Sequence, residues 1–160
     1  LCQMMQKLSP EVPQARFTSR NNLHVTLVFI GEVQSEALPK IKSALDVLPA
    51  QPPFDLYAGG IGCFAKSGIL YAKVQVSPEL KNIYQGLSAA LEQQGIPTEK
   101  REYRPHITLA RNAKLPPNFQ EGEGLSPQMH MTVPKISLVL SERVNGVLTY
   151  TEIYSRALER

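Results

Sequence analysis

The chain has 160 residues, 42% of them hydrophobic and 19% charged, a composition ordinary for one soluble globular domain. It contains no run of about 18 apolar residues, which excludes a transmembrane helix, and no charged-then-apolar signal peptide opens it. Two cysteines, Cys2 and Cys63, make a poor disulfide framework and fit a reducing cytoplasm, while a net charge of +3 is compatible with RNA without pointing to it.

In chain order, Leu1 to about Leu8 reads as the tail of a helix, followed by a Pro-containing loop. His24 to Ile30 is apolar and β-branched and reads as a buried strand. Ser35 is placed to cap a helix running to about Leu48, with Leu38, Ile41, Leu45 and Leu48 at helical spacing, although Pro39 falls inside it. Strands are expected over Phe54–Ile61 and Ile69–Val76, joined by a Gly-flanked loop, Gly62 to Gly68. A second helix runs from the cap Ser77, with Pro78 at its first position, to the stop Gly95. Its apolar stripe is Leu80, Ile83, Tyr84, Leu87 and Leu91. His106 to Ala110 reads as another buried strand. A Pro/Gly-rich loop, Leu115 to Pro127, precedes two closing strands, Val133–Leu140 and Val147–Tyr154. Each half is then a helix, an apolar His-led strand and further strands: an α+β duplication with no domain boundary.

Two of those strands open on the same phrase. His24-Val25-Thr26-Leu27 is repeated 82 residues later as His106-Ile107-Thr108-Leu109, in a chain with only three histidines. With this composition, a given histidine would be followed by apolar-Thr-Leu roughly once in several hundred trials. Side chains alternate along a strand, so His24 and Thr26 share one face and Val25 and Leu27 the other. The second phrase behaves identically. One such histidine alone would read as a satisfied core residue, but burying two unpaired imidazoles is costly and leaves the matched threonines unexplained. An imidazole and a hydroxyl side by side, present twice, suit a phosphate held between two acid/base groups. No HxH, HExxH or CxxC ligand pattern accompanies them, so no metal is assigned. His130, in the polar run Ser126-Pro127-Gln128-Met129-His130-Met131, reads as a surface residue.

With these phrases the chain resembles the 2H phosphoesterase superfamily, and within it the bacterial and archaeal RNA 2′,3′-cyclic phosphodiesterases, historically called 2′-5′ RNA ligases. Asn21-Asn22-Leu23-His24-Val25-Thr26-Leu27-Val28-Phe29-Ile30-Gly31-Glu32 is similar to the first signature, NLHxTLxFxGE. Tyr103-Arg104-Pro105-His106-Ile107-Thr108-Leu109-Ala110-Arg111 is similar to the second, PHITLxR. The resemblance runs from the N-terminus to Leu158. The family opens with a strand before its first helix; its absence here leads us to expect that the numbered chain lacks its true N-terminus. Tyr71 stands where many relatives carry Trp.

The resemblance implies a single domain over residues 1–160, with two pseudo-symmetric lobes whose antiparallel-rich sheets face a central cleft and whose helices lie outside. It implies metal-independent, cofactor-free hydrolysis of RNA 2′,3′-cyclic phosphate ends to 2′-phosphates, with His24 and His106 as base and acid. Histidine, with an ordinary pKa near 6.5, can serve in either role at neutral pH. Thr26 and Thr108 would hydrogen-bond the non-bridging phosphate oxygens. Arg111 is implied as a phosphate contact, although five residues beyond His106 a regular strand puts it on the opposite face. Phe64 in its loop, and Tyr150 and Tyr154 on the last strand, are candidates to stack a base, with hydrophobic packing the competing explanation. Lys66 and Lys100-Arg101 read as solvated surface. The expected partner is RNA, as tRNA fragments or oligonucleotides, met by a cytoplasmic monomer without membrane contact.

Other functions fit the same residues. The histidines could run the reverse reaction, an ATP-independent 2′-5′ ligation; no KxDG-like phrase supports an ATP-dependent ligase. A phosphodiesterase acting on 2′-5′ oligonucleotides or a small cyclic nucleotide, and a non-catalytic RNA-end binding module, are further alternatives. Two intact proton carriers count against the binding module.

Overall fold

A computed structural model describes residues 1–122 and 129–159. The fold is α+β with antiparallel sheets. Its elements are α1 (Cys2–Leu8), β1 (Arg16–Phe17), α2 (Leu38–Asp46), β2 (Phe54–Phe64), β3 (Ile69–Val74), α3 (Pro78–Gln93), β4 (His106–Arg111), β5 (Met129–Val133), β6 (Lys135–Val144) and β7 (Val147–Ala157). The expected loop from Leu115 ends at Pro127, and its last part, with Ser126 to Gln128 of the polar run, lies outside the described residues. Five strands form one sheet in the order β1-β4-β3-β2-β5, and β6 and β7 form a two-stranded sheet. The pairs β1/β4, β4/β3, β3/β2 and β6/β7 are all antiparallel.

By its internal contacts the chain divides into two compact units, each drawn from three separate stretches. The first comprises residues 1–26, 57–75 and 104–130. Its buried side chains include Met4 and Leu8 of α1, Val12, Ile61 of β2, Leu70 and Ala72 of β3, and Ile107, Leu109 and Ala110 of β4. The alternation expected of β3 is present: Leu70, Ala72 and Val74 are buried while Ile69, Tyr71 and Lys73 are half-exposed.

The second unit comprises residues 27–56, 76–103 and 131–160. Here α3 buries Leu80, Ile83, Leu87, Ala90 and Leu91, most of the stripe read from sequence. Ser77 caps it, its hydroxyl accepting from the Leu80 N–H at 3.2 Å. Gly95, at φ +76°, turns the chain out of the helix in a conformation that side chains with a Cβ rarely adopt. The helix expected from Ser35 divides: a 3₁₀ turn covers Ser35–Ala37, and the α-helix begins at Leu38. Pro39 has no N–H to give, so it is accommodated in the first turn and nowhere later.

The strand expected over His24–Ile30 does not form. Val25 makes one isolated antiparallel bridge to Ile107, and no regular strand follows. The chain tracks the edge of β4 in two pieces. Arg16 and Phe17 pair with Arg111 and Ala110, and the Thr18 N–H donates to the Leu109 carbonyl at 2.8 Å. The 3₁₀ turn Arg20–Asn22 then loops out, and the chain returns at Val25. Past Val25 the pairing with β4 is not resumed.

Candidate active site

The His and Thr of both His-apolar-Thr-Leu phrases lie in the first unit. The Val25–Ile107 bridge sets their register: His24 stands opposite Thr108, and Thr26 opposite His106. Directly opposed residues of an antiparallel pair have Cβ atoms roughly 4.5–5.5 Å apart. Ile107 and Leu109 are buried, so His106 and Thr108 face the other way. His24 and Thr26 are exposed, whereas Val25 and Leu27 are partly covered. The alternation read from sequence thus holds in both phrases, even where the first is not a strand.

The two imidazoles are oriented alike. His24 Nδ1 lies 2.7 Å from the Asn22 carbonyl oxygen, and His106 Nδ1 lies 2.8 Å from that of Arg104. A carbonyl can only accept, so each Nδ1–H donates, and in the neutral ring the lone pair sits on Nε2. In both cases the carbonyl belongs to the residue two positions upstream. The same short loop of backbone therefore fixes the tautomer twice.

Around His106 the packing is aromatic. The Phe64 ring meets it edge-on at 5.2 Å between centroids, and Tyr71 lies 5.3 Å away. Phe64 and Tyr71 are themselves 4.5 Å apart. Phe64 is the last residue of β2 and half-buried, not at a loop tip, because Gly62, Cys63 and Phe64 continue the ladder against Tyr71, Leu70 and Ile69. Tyr71 occupies the space above Gly62: a Cβ there would sit 2.4 Å from the ring. Gly62 is therefore required by the close approach of the aromatic ring to the strand.

Arg111 departs from its expected placement. Leu70 pairs with Ala110 and the next residue, Tyr71, pairs with Thr108, so β4 carries one extra residue at Leu109. Leu109 and Ala110 are consecutively buried, and the alternation resumes one step out of phase with Arg111 exposed. The bulge thus carries Arg111 onto the face of His106 and Thr108, where a regular strand would have put it opposite.

Reading the sequence missed the acidic anchor beside this cluster. Glu121 Oε1 accepts from the Cys63 N–H at 3.1 Å and the Cys63 thiol at 3.0 Å, and Lys73 lies 3.8 Å from its other oxygen. Gly122 and Ile61 bond reciprocally through their backbones, holding that segment against β2. The Cys63 bonds keep the Glu121 carboxyl below the usual carboxylate range. Burial, then the Glu121 bond and charge, push the Cys63 thiol up to about 11. Burial first, and next the Glu121 charge, also raise the Tyr71 phenol, so it stays protonated. Glu121 follows a Pro-rich loop 58 residues from Cys63, a separation that no local pattern reveals.

The remaining candidates divide between the two units. Tyr150 is a half-exposed residue of β7 in the second unit, paired with Ser141. In the same unit Tyr154 donates to Asp46 Oδ1 at 2.6 Å, with the Lys42 ammonium 5.4 Å from its ring centroid. Lys66 is exposed in a 3₁₀ turn, and Lys100 and Arg101 pair with Glu92 and Glu99. His130 is exposed on β5 and stacks on Tyr57 at 5.8 Å. Both cysteines are free thiols. Among the described residues no three His, Cys, Asp or Glu side chains converge as a metal-ligand set, and no helix is long and apolar enough to cross a membrane.

Comparison with known proteins places the chain in a family. The chain is 30% identical to the RNA 2′,3′-cyclic phosphodiesterase of Bacillus subtilis over 92 residues, 55% of this chain and 50% of that protein. The match thus spans half the length of that relative. It is 29% identical to the Escherichia coli RNA 2′,3′-cyclic phosphodiesterase over 153 residues, 91% of this chain and 82% of that one. The crystal structure of E. coli LigT complexed with 3′-AMP superposes with a TM-score of 0.77 at 26% identity, covering 99% of this chain and 89% of that chain. The sequence profile of the 2′-5′ RNA ligase superfamily matches residues 3–145, and the chain belongs to that superfamily.

Proposed function

We propose that this protein hydrolyses RNA 2′,3′-cyclic phosphate ends to 2′-phosphates with two histidines as its proton carriers. The observation that carries the reading is the matched pair of imidazoles, each with Nδ1 donating to a backbone carbonyl and each opposite the other phrase's threonine. The name borne by the matching bacterial relatives, RNA 2′,3′-cyclic phosphodiesterase, supports it, as does the nucleotide in the LigT structure.

In this mechanism the cyclic phosphate sits over the His24/Thr26 and His106/Thr108 face. One neutral imidazole takes a proton from water through Nε2 as the oxygen attacks phosphorus. The other, protonated, gives its Nε2 proton to the departing 3′ oxygen, leaving the phosphate on the 2′ oxygen. Each positioned proton transfer contributes about 10²–10⁴-fold. Thr26 and Thr108 donate to the non-bridging oxygens, where negative charge develops. Phe64 and Tyr71 shield one side of His106 and present an aromatic edge to a base. No step calls on a metal or an organic cofactor. We place the protein in the cytoplasm as a monomeric single domain acting on RNA fragments.

The test is incubation of an oligoribonucleotide ending in a 2′,3′-cyclic phosphate, in EDTA, with wild type beside His24→Ala and His106→Ala. The expected product is a 2′-phosphate, made at least about 10²-fold more slowly by each variant. Near wild-type rates in both variants would sink the two-histidine mechanism. Tight binding without turnover by wild type would leave an RNA-end binding module.

A further inference from the structure

We propose that Arg16 and Arg111 form a second phosphate subsite, which takes a backbone phosphodiester of the RNA strand whose cyclic end lies at the histidines. This rests on the function proposed above and extends it from a terminal phosphate to a strand. Arg16 of β1 is the direct antiparallel partner of Arg111 of β4, and both are exposed. Like charges directly opposed weaken a strand pair unless an anion lies between them. Among the described residues neither guanidinium has a carboxylate within ion-pair distance.

The pairings fix which face they share. Phe17, Ala110 and Leu70 occupy one register row, and Leu70 and Ala110 are fully buried. Arg16 and Arg111, one step further along, therefore project from the opposite face, the face of Tyr71, Thr108 and His106. The β4 bulge makes this so; without it Arg111 and its partner would turn toward the core. In register, the pair stands two steps beyond Thr108 and four beyond His106, or roughly 7 and 13 Å along the strand at about 3.3 Å per step. Long side chains spanning that gap put two planar donor forks where a second phosphate, not the reacting one, would lie. A nucleoside 2′,3′-cyclic phosphate has nothing to offer them, whereas an oligonucleotide does.

The experiment compares a 2′,3′-cyclic-phosphate-ended trinucleotide with a nucleoside 2′,3′-cyclic monophosphate, for wild type, Arg16→Ala and Arg16→Lys. Steady-state kinetics are paired with equilibrium binding of the corresponding 2′-phosphate products across a salt series. Arg16→Ala should raise KM for the trinucleotide about 10-fold more than for the mononucleotide, with kcat little changed. It should also lower the slope of log affinity against log salt for the trinucleotide by about 0.7, one single-strand phosphate contact. Arg16→Lys keeps the charge but not the fork, so it should restore the salt slope and only part of the affinity. Equal effects on both substrates, or none, would overturn the subsite. If wild type turns over neither substrate, the proposed function fails, and binding still decides. A loss confined to the trinucleotide product sustains the subsite; no difference, or no binding, overturns it.

Discussion

His24 and His106 share one device: a carbonyl two residues upstream holds each Nδ1. Removal of a neighbouring hydroxyl should therefore leave the ring orientation intact. Thr26→Ala and Thr108→Ala should keep the imidazoles in place and cost only a charge-assisted hydrogen bond in the transition state, about 1–3 kcal/mol, read as kcat/KM beside the much larger loss in the histidine variants. Cys63 makes a different prediction. Its thiol is lifted from 9.0 to about 11, so the protonated form is favoured in the folded protein. The stability this contributes is present below pH 9 and is lost as pH rises toward 11. At pH 8, alkylation of Cys63 should lag behind that of the exposed Cys2. Glu121→Gln removes a negative charge and a strong acceptor, so the pH midpoint of Cys63 alkylation should fall. An unmoved midpoint would assign the whole shift to burial.

Among the elements, β2, β3 and β4 determine where side chains can sit. Gly62→Ala would drive a methyl group into the Tyr71 ring, since the Cβ position is 2.4 Å from it. We expect a loss of about 1–3 kcal/mol in urea unfolding, as for other overpacked sites, and a disturbed His106 environment through Tyr71. In a Tyr71→Ala background the same change should be nearly neutral; a penalty that persists would locate the strain elsewhere. Ser77→Ala removes the cap of α3 and should cost about 1 kcal/mol. Elements with local signals were legible in advance: Ser77-Pro78 and Gly95 mark α3 because capping is decided within one turn. The bulge at Leu109 was not, since a bulge is a relation between strands and β4 alone reads as a regular alternation. Nor was the loss of the His24–Ile30 strand, because an apolar β-branched run does not say whether a partner edge lies beside it. Arg111 inherited the first of these errors of phase.

For the molecule as a whole, the repeated phrase disclosed the histidines and threonines without any structure, because two hits among three histidines are statistically loud. It did not disclose that both would fall in one compact unit, held by a single bridge between Val25 and Ile107. That contact joins residues whose sequence neighbourhoods carry no mark of each other beyond their likeness. Glu121 and Arg16 stayed hidden for the same reason: their importance comes from what lies opposite them, Cys63 and Arg111, and not from their own surroundings in the chain.

The three-stretch construction of the first unit also sets a timetable for synthesis. His24 leaves the ribosome with its carbonyl clamp already encoded beside it, but His106 is 82 residues further on. At about 5–20 residues per second, roughly 4–16 seconds pass before the second imidazole exists. Throughout that interval Val25 has no β4 edge to join. A nascent or prematurely ended chain thus holds one proton carrier and no counterpart, and it would be inert toward a cyclic phosphate until translation has passed Arg111.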